Sequence, residues 1–203
     1  ALALQELVNM GVDNIITFDA HDPRVQNAIP LHGFETVTPV YQMIKGLLNS
    51  VDDIQLDSDH LMVISPDEGA TGRAIYLASI LGVDMGMCYK RRDYTKIVNG
   101  KNPKARGAGR IFVFSTFGLF TSGLERFDKA YEEGLISKIC TTNTVYQTPE
   151  LLARDWYVSC DMSKYIALLI DTLNHDGSIS DLLEPYERIN AFVAKYKEAQ
   201  QNK

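Results

Sequence analysis

Short apolar segments alternate with longer amphipathic stretches along most of this chain. Residues 14–18 and 61–64 are short, apolar and rich in β-branched side chains, which favours buried strands. Four further segments have the same character and are predicted strands: residues 83–89, 111–114, 138–141 and 156–159.

The stretches between these strands carry apolar side chains at helical spacing. We expect Thr38 to be an N-cap and Pro39 to take the first helical position, followed by an apolar face. Further helices are predicted for residues 1–10, 74–81, 124–134, 161–173 and 184–197. In the helix at 161–173 the residues expected to point inward are Tyr165, Ile166, Leu169, Ile170 and Leu173, and the apolar stripe of the helix at 184–197 is Ile189, Phe192, Val193 and Tyr196. Alternating strands and helices predict an α/β fold, with open, mostly parallel sheets and helices on both faces. The residues on the apolar face after Pro39 are Val40, Met43, Ile44, Leu47 and Leu48.

The alternation breaks between residues 93 and 107. Parallel strands need a crossover of a dozen or more residues between them, and that crossover usually contains a helix. Here the chain offers a polar stretch with a turn signal at Asn99 and Gly100, and Lys104 to Gly107 resembles only the last turn of a helix. We therefore expect an internal segment to be missing near residues 103 and 104.

Composition narrows the classes of function. The chain has 203 residues with 45% apolar content, enough for one substantial core or two small ones. The net charge is −6, with both signs mixed, so no basic face for nucleic acid is predicted. Three distant cysteines without a CxxC pair indicate a reducing compartment. We find no signal peptide and no apolar run near the ~20 residues of a membrane span, so we predict a cytoplasmic protein.

Polar clusters follow the predicted strands. In open parallel sheets, ligands bind beyond the carboxyl ends of the strands, so these clusters are expected at one edge. That coincidence favours a functional site over unrelated surface loops. The clusters are residues 19–24, 66–73, 90–92, 116–122 and 141–143.

One of these clusters, the loop from Ser65 to Arg73, joins a strand to a helix. Its glycines permit a tight turn, and the N–H groups at the start of a helix attract anions. Asp67 and Glu68 suit a magnesium ion held mainly through water and substrate phosphates. The alternative is an ordinary turn in which the acid caps the helix.

Two other clusters carry histidine and cations. His21 lies between two aspartates and is either a structural histidine or a ligand for metal or phosphate. Lys90, Arg91 and Arg92 are either a solvated surface run or a site that neutralises charge on a transferred phosphoryl group. A carboxylate, magnesium, cations and a helix start together indicate phosphoryl-type transfer.

Together these motifs resemble ribose-phosphate diphosphokinase, also called phosphoribosyl pyrophosphate synthetase. The Asp-x-His, Ser-Pro-Asp and Lys-Arg-Arg motifs follow one another in the order of that family. The matching segments are Thr17 to His21, Ser65 to Gly69, Lys90 to Arg92, Ser115 to Gly123, Thr142 with Asn143, and Ser178 to Leu183.

The resemblance implies a two-domain enzyme with the type I phosphoribosyltransferase fold. It would transfer the diphosphoryl group of ATP to the 1-hydroxyl of ribose 5-phosphate, with Mg²⁺, and release AMP. Residues 1–35 would be the tail of the N-terminal domain, 36–177 the C-terminal domain, and 178–203 a C-terminal segment with an extra helix. The family forms homo-oligomers, either dimers or hexamers, and takes part in nucleotide biosynthesis.

The resemblance also implies individual roles. His21 matches the histidine that contacts magnesium and ATP, and Asp67 matches the acid that helps to hold magnesium and ribose. Lys90 and Arg92 match the catalytic cations on a loop that closes over the diphosphate. Arg73 is a weaker match to a residue that binds ATP, because its neighbours differ.

The chain departs from the family in two places. The acidic loop that grips ribose 5-phosphate is absent, and it would fall between Lys101 and Lys104, where the alternation breaks. Most of the upstream domain is absent too. An alternative is therefore a non-catalytic homologue that assembles with an active synthetase, although it would not need Lys90, Arg92, His21 and Asp67. Another phosphoribosyltransferase that uses the product is a third possibility.

Overall fold

The computed structural model describes residues 1–88 and 109–201. Within these ranges short strands alternate with helices, as the apolar pattern predicts. The strands are β1 (Asn14–Phe18), β2 (Gly33–Val37), β3 (Met62–Ser65), β4 (Asp84–Met87), β5 (Phe112–Ser115), β6 (Lys138–Thr142) and β7 (Tyr157–Cys160).

Helices follow or precede each strand pair. Two short 3₁₀ segments, Pro23–Ala28 and Glu68–Ala70, lie directly after polar strand ends. The α-helices are α1 (Leu2–Asn9), α2 (Val40–Ser50), α3 (Thr71–Leu81), α4 (Glu125–Glu132), α5 (Pro149–Leu152), α6 (Ser163–Asn174), α7 (Ser180–Leu183) and α8 (Tyr186–Gln201).

Every described strand pairing is parallel. β1 pairs with β2, β3 pairs with β4, and β5, β6 and β7 form a three-stranded sheet in that order. The α/β prediction with open parallel sheets is therefore confirmed. Because all pairings are parallel, the carboxyl ends of paired strands lie at the same edge, and their loops meet there.

The main core lies between α2, α3, α8 and one face of the sheets. The predicted apolar face of α2 is confirmed, since Ile44 and Leu48 are buried against β6 and β7. Ile189 and Val193 of α8 complete this core. Helix α2 lies close to β7 at Gly46, where a Cβ atom would lie 2.8 Å from the Cys160 sulfur.

Two smaller cores attach the remaining elements. Val37 of β2 packs with Met162, Tyr165 and Leu169, so α6 covers the β1–β2 pair. The third core is aromatic and lies between α4 and β7, where the Phe120 and Phe127 rings meet edge-on at 5.1 Å. The buried residues of this third core are Ile139, Leu151, Trp156 and Tyr157.

The outer face of β3, which carries Met62 and Ile64, is more exposed than the sequence predicts. Met62 and Ile64 are about half exposed, at 51% and 48%. Parallel sheets are normally covered on both faces, which is why the apolar pattern of residues 61–64 indicated a buried strand. Within the described residues this face lacks a covering helix.

Several predicted boundaries differ from the structure. Helix α2 begins at Val40, with Pro39 in the N-cap position and no hydrogen bond from the Thr38 side chain into the helix. The last helix runs from Tyr186 to Gln201, because Pro185 precedes it. On α6 the predicted apolar face is partly wrong, since Ile170 is 62% exposed.

Strand β2 was missed by the sequence pattern, because its residues Gly33, Glu35 and Thr36 are not apolar. It forms because each of its residues pairs in register with β1. The predicted break at residues 93–107 lies wholly outside the described residues. None of the described helices is long and apolar enough to cross a membrane.

Candidate functional site

The loop that carries His21 begins at the carboxyl end of β1. Asp19 has a left-handed backbone with φ of 46°, which is uncommon for a residue other than glycine. Its amide donates to the Val37 carbonyl at 2.9 Å, and the Ala20 amide donates to the Thr36 hydroxyl at 3.0 Å. Strand β2 therefore shapes the turn that presents His21 to solvent.

The two aspartates that flank His21 have other partners. Asp22 accepts hydrogen bonds from the Arg24 guanidinium, with the shortest at 2.7 Å, and from the Arg24 amide. The hydrogen bonds from the Arg24 side chain are the main reason why the pKa of Asp22 is lowered to about 2. The Asp19 carboxylate accepts from the Thr116 hydroxyl in the loop after β5. His21 therefore projects from a loop whose two carboxylates are already engaged.

Asp67 lies at the carboxyl end of β3 and caps the turn before α3. Its Oδ1 accepts from the Ala70 amide at 3.1 Å, so the interpretation of Asp67 as a capping acid is confirmed. The fully buried Ser65 donates from its hydroxyl to the Asp67 carbonyl at 2.7 Å, and the Ser65 carbonyl accepts from the Cys88 amide at 2.8 Å. The end of β3 is thus held by hydrogen bonds to its own loop and to β4.

Asp67 could supply one carboxylate oxygen to a magnesium ion. No group of three His, Cys, Asp or Glu side chains converges among residues 1–88 and 109–201. Mg²⁺ does not need such a group, because it usually binds one or two carboxylates together with water and substrate phosphates. The Asp67 Oδ2 accepts no hydrogen bond from the part of the chain that the structure describes. Asp67 therefore fits such an ion while Oδ1 continues to cap the turn.

Arg73 lies two residues into α3 and lines a cleft of about 400 Å³. Tyr76, Glu184 and Tyr186 line the same cleft, and the pKa of Tyr76 is raised by burial and then by the charge of Glu184. Thr36 also lines it, and the Thr36 hydroxyl holds the Ala20 amide beside His21. Neither His21 nor Asp67 lines this cleft, so the cleft does not bring Arg73 together with them.

Hydroxyl groups connect the loops after β1, β5 and β6. The Thr142 hydroxyl donates to the Thr116 carbonyl at 2.5 Å and lies 2.6 Å from the Thr144 hydroxyl. Next to it, the Asn143 amide nitrogen donates to Asp161 at 2.9 Å, and its oxygen accepts from the Met162 amide at 2.8 Å. The sequence marked residues 116–122 and 141–143 as polar clusters, but it gave no signal that Thr116 donates a hydrogen bond to Asp19.

Lys90 and Arg92, the predicted catalytic cations, lie outside the described residues. The structure therefore places three of the predicted site residues. His21 and Asp67 follow parallel strands, as predicted, and Arg73 lies in the helix after the Asp67 loop.

Curated proteins similar to this chain share one name. A ribose-phosphate pyrophosphokinase of Vibrio parahaemolyticus is 26% identical over 205 residues, covering 86% of this chain and 62% of the relative. Proteins of the same name from Pasteurella multocida and Ureaplasma parvum are 24% and 21% identical and cover 86% and 73% of the chain. The chain resembles the ribose-phosphate pyrophosphokinases. No family model matches it.

The Vibrio parahaemolyticus relative is longer than this chain, both overall and within the aligned region. The chain spans 62% of the length of the Vibrio parahaemolyticus relative. The alignment also extends over 205 residues while taking in only 86% of the 203 residues of this chain. The relative therefore has additional residues inside the aligned span.

Proposed function

We propose that this chain belongs to a ribose-phosphate diphosphokinase of nucleotide biosynthesis. It would transfer the diphosphoryl group of ATP to the 1-hydroxyl of ribose 5-phosphate and release AMP. The observation that carries the proposal is that two motifs of this family lie at strand ends in a chain whose sequence is similar to these proteins. The Asp-x-His motif lies at the end of β1 and the Ser-Pro-Asp motif at the end of β3, each a strand of a parallel pair, in a chain similar to proteins of that name.

His21 and Asp67 would bind magnesium and the ATP phosphates. The exposed imidazole of His21 can contact a phosphate or the ion, and the Asp67 Oδ2 can accept a water or ribose hydroxyl. A bound Mg²⁺ would neutralise phosphate charge and orient the diphosphoryl group. Helix α3 starts at Thr71, directly after this loop, so its first N–H groups add a favourable field for an anion.

Lys90 and Arg92 would stabilise the charge that develops on the phosphoryl oxygens during transfer. In the sequence they follow β4, the strand paired with β3. Cations held against the transferred group lower the barrier for phosphoryl transfer without a covalent intermediate. Arg73, in its cleft beside Thr36, is the weaker candidate for an ATP contact.

The decisive experiment is AMP release from ATP that depends on both ribose 5-phosphate and magnesium. Lys90→Ala and Arg92→Ala should each lower kcat by about 10²–10³-fold. Lys195→Ala is the matched control, because Lys195 is an exposed lysine on α8, and it should retain full activity. Activity that persists in Lys90→Ala would remove this residue from the mechanism.

A regulatory homologue is the second candidate. Its supporting observation is that the Vibrio relative has additional residues inside the aligned span, so this chain differs internally from proteins of that name. In that case the chain alone would release no AMP. Added to an active synthetase, it would co-elute with the synthetase and change its rate.

The remaining expectations belong to the same proposal. ATP and ribose 5-phosphate would be the substrates, and the protein would work in the cytoplasm as a homo-oligomer. Residues 1–35 and 36–177 would belong to two domains of the phosphoribosyltransferase type. Light scattering of the purified chain tests the oligomer, with a dimer or a hexamer as the expected mass.

A further inference from the structure

Hydrogen bonds at Thr116 link the end of β6 to the Asp19 carboxylate, in a series made of Thr144, Thr142, Thr116 and Asp19. The Thr142 hydroxyl has one proton, which it donates to the Thr116 backbone carbonyl, so the Thr144 hydroxyl must donate to Thr142. The Thr116 hydroxyl separately donates to Asp19 Oδ2, and because this acceptor is an anion the hydrogen bond is strengthened.

This series joins parts of the fold that otherwise have separate cores. Asp19 follows β1, whose apolar residues pack with the α6 core, while Thr142 ends β6, a strand that contributes to the main core. Thr142 is fully buried, so its end of the series is rigid. Asp19 is the end that stands next to His21.

Asp19 needs an external constraint to hold its backbone. A left-handed conformation in a residue other than glycine costs free energy and persists only where its surroundings fix it. Two hydrogen bonds supply this constraint. The Asp19 amide donates to the Val37 carbonyl, and the Asp19 side chain accepts from the Thr116 hydroxyl. The same turn sets the direction of the Ala20 and His21 backbone.

We propose that Asp19 and Thr116 are positioning residues that hold the His21 loop in its binding geometry. This inference rests on the proposed function, in which His21 contacts magnesium and ATP. Asp19 acts through its bond to Thr116, and Thr116 acts through the loop, so neither residue has to touch the substrate. Loss of the bond lets the turn relax and lowers the fraction of molecules with His21 ready to bind.

The test compares Thr116→Val, which removes the hydroxyl, with Thr116→Ser, which keeps it. Thr121→Val is the matched control, because Thr121 is exposed in the same loop. Amide hydrogen exchange at residues 19–21 should be about tenfold faster in Thr116→Val than in the control, as expected for one lost hydrogen bond. Thr116→Ser should restore the exchange rate to within about twofold.

The kinetic measurement separates positioning from catalysis. Thr116→Val should raise the KM for MgATP about tenfold while kcat stays within about threefold, because a loosened loop binds less often but reacts normally. Asp19→Gly provides a second variant, since glycine accepts the left-handed backbone but cannot bond to Thr116. It should show the same loss of protection at His21.

The outcomes distinguish this inference from the proposed function. If AMP release is absent, the exchange measurement still decides whether Thr116 holds the loop. If AMP release is present and Thr116→Val leaves both exchange and KM like those of Thr121→Val, the positioning role is wrong. Faster exchange throughout β6 would also overturn it, because Thr116 would then support the whole fold.

Discussion

The indole N–H of Trp156 donates to the Asp128 carboxylate over 2.7 Å. Arg154 contacts the same carboxylate with two nitrogens, at 2.9 Å and 3.1 Å. Trp156 is almost fully buried at 1% exposure, so the only polar atom of its side chain depends on this partner. Asp128 therefore connects α4 to the start of β7 by satisfying a buried donor and a half-exposed cation together.

This arrangement predicts a pH-dependent stability. The hydrogen bond from Arg154, and then that from Trp156, hold the pKa of Asp128 below its ordinary value of 3.8. A lowered pKa in the folded state stabilises the protein above that ordinary value, and the contribution is lost as the pH falls through the lower folded value. Urea unfolding should show wild type to be more stable than Asp128→Asn at pH 7.

The difference should narrow as the pH falls below about 3.8, because the Asp128 carboxylate then becomes protonated in the unfolded chain, and it should vanish once the pH is below the lower folded pKa. Asp155→Asn is the control. Asp155 lies between Arg154 and Trp156 in the sequence, and its carboxylate makes no described hydrogen bond or ion pair. A constant difference between wild type and Asp128→Asn from pH 7 to pH 3 would contradict the role of the charge.

The contact between α2 and β7 predicts that Gly46 cannot be enlarged. In Gly46→Ala the new methyl group would lie 2.8 Å from the Cys160 sulfur, so the helix or the strand must shift. We expect a net loss of about 1–3 kcal/mol in the free energy of unfolding, despite the better helix propensity of alanine. Thermal or urea unfolding measures the loss.

A double-mutant cycle with Cys160→Ala isolates this contact. Removing the sulfur creates room for the methyl group, so Gly46→Ala should cost less in the Cys160→Ala background than in wild type. Equal costs in both backgrounds would show that the helix moves away from β7 without any influence of Cys160.

The three cysteines should differ strongly in reactivity. Cys88 is exposed, whereas Cys140 and Cys160 are buried in the main core. A hydrogen bond with Cys160, and then burial, raise the pKa of Cys140, so its reactive thiolate is suppressed. An alkylating reagent should modify Cys88 at least ~10³-fold faster than the buried pair, which reacts only on unfolding.

Mass spectrometry of partly alkylated protein checks this order. In Cys88→Ser the rapid phase should disappear and the slow phase should remain. Rapid modification of Cys140 in native protein would mean that the core between β6 and α2 opens far more often than its burial implies.

The half-exposed outer face of β3 predicts unequal costs for two isoleucines. Ile44 is 2% exposed in the main core, so Ile44→Ala should cost about 2–5 kcal/mol of unfolding free energy. Ile64 is 48% exposed, so Ile64→Ala should cost less than about half as much. Urea unfolding of the two variants compares them directly, and similar losses would show that the outer face is covered in solution.

The sequence predicted the elements that local chemistry determines. Strand β1 follows from its β-branched run, and the buried face of α8 follows from the spacing of Ile189 and Val193. Strand β2 was missed because it forms by pairing with β1, and its polar sequence contains no signal for that pairing. The exposure of Ile170 was missed for a related reason, since helical spacing does not tell which face a neighbour covers.

In the candidate site, too, the sequence predicted the features set by local order and missed those that depend on distant contacts. His21 and Asp67 lie at strand ends, as predicted, because loop positions follow directly from the order of strands and helices. The bond between Asp19 and Thr116 joins residues 97 positions apart, and no local signal predicts a partner at that separation. The capping role of Asp67 was an open alternative because a capping acid and a metal ligand have the same side chain.

The attachment of the β1–β2 pair has a consequence for thermal unfolding. This pair packs through Val37 against α6, in a core separate from the one that holds α2 to β7. Elements with separate cores melt as separate cooperative units unless enough contacts couple them. In calorimetry the total enthalpy of unfolding should therefore exceed the van't Hoff enthalpy, with the N-terminal pair as the earlier transition.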